Sequence, residues 1–167
     1  MRFASRLCLL TLVLVAPAHA LEADRDLPFQ LDAAKVEIDQ KTGTAVYLGN
    51  VVMSQGSLRL EADKVVGKME KGQLTTITAT GKPVKVRAQL EEGEQELLAN
   101  AKRIVFRVEA RELELMGEAW VRQGVNEFRA HQILYSLDQQ RLQAIGKDAD
   151  VGRVHAVFHP QKKDDDK

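Results

Sequence analysis

Apolar residues recur two apart in short runs along most of this chain. Phe29 and Leu31, Val36 and Ile38, Val46 and Leu48, Leu58 and Leu60, and Val84 and Val86 follow this spacing, as do Ile104 and Phe106, Leu113 and Leu115, Ile133 and Tyr135, and Leu142 and Ala144. A period of two over many short runs predicts half-buried antiparallel strands, because successive side chains of a strand point to opposite faces. Punctuation agrees: ten glycines lie between Gly43 and Gly146, and Pro83 is the one proline between Pro28 and Pro160. Such spacing suits strands joined by turns.

A small unit repeats within this pattern. An alanine three places before a β-branched residue occurs at Ala33/Val36, Ala62/Val65, Ala101/Ile104 and Ala130/Ile133, and a glycine follows at Gly49, Gly81, Gly117 and Gly146. Shifting the chain by 68 residues superposes Ala33 on Ala101, Gly49 on Gly117, Gln55-Gly56 on Gln123-Gly124 and Ala62 on Ala130, which predicts two halves of similar design. The repeat also resolves a local conflict. Glu94 to Met116, leaving aside its ends, is rich in Glu, Leu, Ala and Arg without glycine or proline and by propensity alone reads as a helix. Its centre, Arg107 to Glu112, aligns with the polar stretches Asp39 to Gly43, Lys68 to Gln73 and Ser136 to Arg141, each flanked by apolar runs. Strand, turn, strand is the reading consistent with all copies. The acidic run Glu91-Glu92-Gly93-Glu94 is then a solvated loop.

Composition places these strands in a compartment. The 167 residues suit one domain. Met1 to Ala20 carries Arg2 and Arg6, an apolar run from Leu7 to Ala16, and Ala18-His19-Ala20, the pattern of a secretory signal with its cleavage site. The run is half the roughly 20 residues that a membrane span needs. Cys8, the one cysteine, lies inside it and not just after it, which does not fit a lipidated precursor. The expected division is a cleaved signal over 1–20, one β domain over 21–160 and a charged disordered tail over 161–167. Removing Arg2 and Arg6 from the 24 basic residues leaves 22 against 24 acidic ones, a net charge of −2. That balance speaks against a nucleic-acid partner, which would call for a basic excess. A cysteine-free exported domain rests on its apolar core or on assembly. The cleavage site and the lack of an N-x-[ST] acceptor favour a bacterial periplasm.

Motifs for chemistry are absent from the sequence: no G-x-S-x-G elbow, no phosphate-cradling glycine loop, no H-E-x-x-H. His131, His155 and His159 are too few and too scattered to predict a metal site, and no cofactor is expected. The acid pairs Glu61/Asp63 and Asp148/Asp150 stand two apart, a spacing open to a two-carboxylate hydrolase but produced freely by a charged outer face. Trp120 and Tyr135 are candidates for a ligand surface or for core filling. Lys35, Arg59, Lys64 and Arg103 lie beside inward positions, where they would meet anionic head groups at a rim or solvate an outer face.

The segment Gly49-Asn50-Val51-Val52-Met53-Ser54-Gln55-Gly56, followed by Leu58-Arg59-Leu60-Glu61-Ala62-Asp63-Lys64-Val65, resembles the signature of the LptA/OstA family of periplasmic lipopolysaccharide-transport proteins. Gly117-Glu118-Ala119-Trp120-Val121-Arg122-Gln123-Gly124 with Ala130-His131-Gln132-Ile133 resembles it again, with Glu118 in place of the asparagine and His131 in place of the aspartate. The likeness runs from about Leu27 to Gly146. It implies an all-β fold, an incomplete twisted β jelly roll whose two antiparallel sheets form a V-shaped open trough. It further implies head-to-tail stacking into a bridge, from an inner-membrane anchored LptC-like protein at one end to an outer-membrane LptD-like barrel at the other, with acyl chains of lipopolysaccharide in the trough.

Burying one CH₂ contributes about 0.8 kcal/mol, so exposing a twelve-carbon chain to water costs on the order of 10 kcal/mol. An open sandwich meets that need because its alternating apolar residues already face inward. The candidate lipid-binding residues are then Phe29, Leu31, Val36, Ile38, Val46, Leu48, Leu58, Leu60, Val84, Val86, Ile104, Phe106, Leu113, Leu115, Phe128, Ile133, Tyr135 and Leu142, with no catalytic and no metal-ligating residues. The expectation is a non-enzymatic lipid conduit of the periplasm. Two alternatives stand beside it: a periplasmic adaptor that joins envelope proteins through its edge strands without binding lipid, and a small carbohydrate-active enzyme using Glu61 and Asp63.

Overall fold

A computed structural model describes residues 27–89, 96–139, 141–147 and 152–159. The expected signal, the tail, Asp148/Asp150 and Glu91 to Glu94 lie outside the described residues. Ten strands follow in chain order: β1 (Gln30–Asp32), β2 (Lys35–Asp39), β3 (Thr44–Gln55), β4 (Leu58–Glu70), β5 (Gln73–Ala88), β6 (Leu97–Arg107), β7 (Glu112–Gln123), β8 (Asn126–Ser136), β9 (Arg141–Ile145) and β10 (His155–Val157). All pairings are antiparallel, and consecutive long strands are neighbours in space, in the order β1-β3-β4-β5-β6-β7-β8-β10. Strand β2 adds to β3 and β9 adds to β8. No residue among those described is helical. The helix-like segment forms β6 and β7 around a turn at 108–111, because each flanking strand finds partners on both sides and tertiary pairing overrides propensity.

The expected two sheets are halves of one hydrogen-bonded ladder. Register shifts interrupt the pairing between Leu48 and Val51, Glu61 and Lys64, Thr80 and Val84, Asn100 and Arg103, and Met116 and Ala119. These irregularities form a line across the sheet. On one side lie β2, residues 44–48 of β3, 64–70 of β4, 73–80 of β5, 103–107 of β6, 112–116 of β7, 132–136 of β8, and β9. On the other lie β1, the remaining halves of those six long strands, and β10. Each long strand therefore serves both layers, bending where it crosses the line.

The alanine and glycine repeat is this crease. Ala33, Gly49, Ala62, Gly81, Ala101, Gly117 and Ala130 fall one after another where successive segments bend, and Gly146 closes the series beside Gly152, whose carbonyl accepts from the Lys147 amide at 2.9 Å. Small side chains are needed where two layers converge. In β3 and β7 the bend takes two residues in the left-handed region, Gly49 (φ 81°) with Asn50 (φ 45°) and Gly117 (φ 77°) with Glu118 (φ 54°). Asparagine visits that region more readily than glutamate. Replacing Glu118 by asparagine is therefore expected to stabilise the protein by about 0.5–1 kcal/mol, since an unfavourable left-handed residue costs roughly 1–2 kcal/mol. The lost Lys102–Glu118 pair (2.5 Å) is exposed and contributes little. Urea unfolding of E118N against the parent measures this; no gain would mean that the backbone at 118 is unstrained.

Candidate functional site

Strand pairing assembles the inward side chains into rows that run across the sheet. In the first layer, Val36, Tyr47, Val65, Ala79, Ile104, Leu115, Ile133 and Ala144 are successive cross-strand partners. One pair step further from the crease stand Ile38, Ala45, Gly67, Ile77, Phe106, Leu113, Tyr135 and Leu142. In the second layer, Leu31, Met53, Leu60, Val86, Ala99, Val121, Phe128 and Ala156 form a third row. Val51, Ala62, Val84, Ala101 and Ala119 lie closest to the crease. Both layers contribute to one apolar cluster, so their apolar faces turn toward each other.

Burial is greatest on the central strands beside the crease and falls both toward the outer row and toward the edge strands. Val51, Val84, Leu115 and Ile133 are 0% exposed, whereas Val36 and Ile38 at the β2 edge are 47% and 62% exposed. The apex of the trough is a packed core and its rim is open. This gradient divides the sequence-predicted lining. Leu60, Val84, Val86, Ile104, Leu115 and Ile133 are buried. Leu31, Leu58, Phe106, Leu113, Phe128, Tyr135 and Leu142 are half-buried on the inner face, and Phe29, Val36 and Ile38 are exposed.

Val46 and Leu48 stand on the other face. Val36 is opposite Tyr47 and Ile38 opposite Ala45, so the inward positions of this half of β3 are Ala45 and Tyr47. Val46, Tyr47 and Leu48 are apolar in succession and carry no alternation of their own; the β2 register sets the parity. Besides Tyr47, sequence reasoning missed Val51, Met53, Val65, Ile77 and Val121. Tyr47, Val51 and Met53 fall at odd-numbered positions on either side of Gly49, a signal that could have found those three.

Other candidates separate as well. Trp120 lies on the outer face of the second layer between Asn100 and Arg129, with the Arg122 guanidinium 5.7 Å from its ring centroid, while Tyr135 faces inward. The Trp120 indole N–H is shielded from solvent close to Glu127, and it holds that carboxyl below its ordinary range, with Arg129 adding to the effect against a smaller opposing influence of burial. Glu61 accepts from Arg59 Nε at 3.1 Å, and Asp63 falls in the β4 irregularity. Lys35 pairs with Glu37 and, by that hydrogen bond first, lowers its pKa. Asp39 closes the β2–β3 turn: its carboxylate accepts from the Lys41 amide at 2.8 Å and the Thr42 amide at 3.2 Å, and Thr42 chiefly holds its pKa down. Among the described residues no three His, Cys, Asp or Glu side chains gather where a metal ion would sit.

A single antiparallel ladder, creased along small residues and closed at its apex by aliphatic side chains, defines an open β jelly roll with a trough between its layers. Residues 30–141 match the family model described as LptA/(LptD N-terminal domain) LPS transport protein. This chain belongs to that family. It is 32% identical over 152 residues to the lipopolysaccharide export system protein LptH of Pseudomonas aeruginosa, covering 87% of each chain. It is 26% identical to the lipopolysaccharide export system protein LptA of Escherichia coli K12, over 89% of this chain and 80% of that one. The crystal structure of LptH, described as the LptA homologous periplasmic component of the lipopolysaccharide transport device of P. aeruginosa, superposes with a TM-score of 0.75 at 29% identity, covering 82% of this chain and 99% of the other.

Proposed function

We propose that this protein is a periplasmic carrier of lipopolysaccharide, exported by a signal over residues 1–20 that is cleaved, and that it holds lipid A acyl chains along the open rim of the trough without catalysing a reaction. The observation that carries this reading is the exposure gradient of the inner rows. On the central strands the side chains beside the crease are sealed, so the fold keeps its core, while Phe106, Leu113, Tyr135 and Leu142 of the outer row keep apolar surface available for a guest. Aliphatic and isolated aromatic side chains suit methylene chains, and each methylene sheltered contributes about 0.8 kcal/mol.

Head-to-tail assembly belongs to the same reading. At one end the sheet stops at β1 and β2, at the other at β9 and β10, so among the described residues both ends present backbone donors and acceptors that no further strand pairs. Edges of this kind aggregate unless they are used. Pairing the C-terminal edge of one copy with the N-terminal edge of the next uses them, and such a heterologous joint propagates without closing. The terminal joints would pair with an LptC-like protein anchored in the inner membrane and an LptD-like barrel in the outer membrane.

Photo-crosslinkers placed at Ile38 and Phe106 in cells are expected to yield lipopolysaccharide adducts, while one at Lys85, on the outer face of the second layer, stays silent. Absence of adducts from every inward position would overturn lipid carriage, and if assemblies still formed, the protein would be an adaptor acting through its edges. Mass per particle is expected to grow with concentration beyond a dimer. A fixed monomer or dimer at all concentrations would reject open-ended stacking.

A further inference from the structure

The outer face of the first layer carries a second recess, unrelated to the trough. Three adjacent strands place a grid of side chains there. Lys64, Thr80 and Arg103 are cross-strand partners in one row; Val66, Thr78 and Val105 form the next; Lys68, Thr76 and Arg107 form the third. With Glu114 and Met116 of β7 these residues line an open groove of about 610 Å³. Two cationic rails thus flank a floor of two valines and a threonine. The floor is recessed: Val105 is 7% exposed although it points away from the core cluster.

The charges in this groove are unequally satisfied. Arg107 donates to Glu114 at 2.7 Å, and Glu114 also accepts from Gln132 at 2.6 Å, so the one carboxylate of the lining is engaged. Lys64, Lys68 and Arg103 form no ion pair among the described residues. Glu37, already paired with Lys35, feels Lys64 only at longer range.

We infer that this groove binds a phosphorylated saccharide, with a phosphate on the Lys64–Arg103 rail, a second on the Lys68 side, and the sugar rings over Val66, Thr78 and Val105. Unpaired cations on both rails select an anion at each end. The rails stand four residues apart along the strands, about 13 Å at roughly 3.3 Å per residue, which matches a disaccharide phosphorylated at both ends better than a single anion. Down the middle strand, the hydroxyl of Thr78 between the rails and those of Thr80 and Thr76 within them act as donors and acceptors for ring hydroxyls. The lining contains no aromatic side chain on which a nucleobase would stack. A peptide strand finds no free backbone edge in the middle of a paired sheet, and a flat bilayer does not reach a recessed floor. The inference does not rest on acyl chains in the trough, which lies on the opposite face.

The test is an NMR titration of the purified protein with a bis-phosphorylated glucosamine disaccharide without acyl chains, its dephosphorylated counterpart, inorganic phosphate, and vesicles of phosphatidylglycerol. The expected result is amide shifts confined to Val66, Thr76, Thr78, Thr80 and Val105 with the phosphorylated disaccharide, weakened by added salt. The double variant K64E/R103E, folded by circular dichroism, is expected to lose affinity at least tenfold, and K41E/K85E to retain it. Equal binding of inorganic phosphate or of the unphosphorylated sugar would overturn the proposal, as would vesicle binding sensitive to K64E/R103E, shifts at Val65, Ile104 and Leu115 on the inner face, or no shift at millimolar disaccharide. Crosslinking of lipid at Phe106 is read separately, so failure here leaves the trough reading standing.

Discussion

Leu115→Ala is expected to lower the free energy of unfolding by about 2–5 kcal/mol, the range for removing a fully buried leucine side chain. Leu115 is 0% exposed and sits between Ile104 and Ile133 in the row nearest the crease, where both layers press on it. Strands on either side are hydrogen-bonded to β7, so the cavity has little freedom to collapse. The informative comparison is Leu134→Ala. Leu134 lies on the next strand opposite Glu114 and Gln143, half-buried on the outer face. Its truncation is expected to cost no more than about 1 kcal/mol. Urea unfolding with an unchanged slope reads both variants. Equal losses, or a larger loss at Leu134, would show that the inner and outer faces have been assigned the wrong way round.

The second large effect concerns the bend itself. Valine at position 49 is expected to destabilise the protein by about 2–5 kcal/mol, combining backbone strain with overpacking. Gly49 has φ 81°, a region that a β-branched residue avoids, and a Cβ placed on it would come within 2.9 Å of the Ala34 Cβ. The approach is fixed because the Ala34 amide donates to the Gly49 carbonyl at 3.1 Å. Gly49→Ala separates the two causes. In a double-mutant cycle with Ala34→Gly, the contact is relieved while the left-handed backbone is not, so a favourable coupling of about 0.5 kcal/mol or more is expected, with a residual penalty at position 49. An additive cycle would assign the whole cost to the backbone. Because the bend brings the two layers together, Gly49→Val is also expected to weaken lipid crosslinking at Ile38 on the adjoining strand.

Much of this architecture is legible from the residues. Runs of period two mark β2 to β9, and the polar stretches at Asp39 to Gly43, Lys68 to Gln73, Arg107 to Glu112 and Ser136 to Arg141 separate one strand from the next, as the repeat predicts. Leu60, Ile104, Leu115 and Ile133 are inward because alternation and burial coincide there. Reading stops where alternation does. Tyr47 and Val46 are both apolar, and their faces are assigned only by pairing with β2. The signature Gly49-Asn50 was visible as a motif, while its work as a left-handed bend depends on how the two layers converge. Lys64 and Arg103 read as isolated basic residues near inward positions; in the structure they flank Thr80 from β4 and β6 on an outer face.

By itself the sequence determined a near-neutral chain with a single cysteine, Cys8, and short alternating strands in two related halves, because strand periodicity and turn chemistry are local properties of the residues. The tertiary structure decided that the eight repeated small residues, Ala33 to Gly146, form one crease, that burial fades from Leu115 toward Ile38, and that three cations with no ion pair among the described residues share a groove. Each of these depends on register between segments tens of residues apart. Hydrogen bonding of a whole ladder sets that register, and no single segment encodes it.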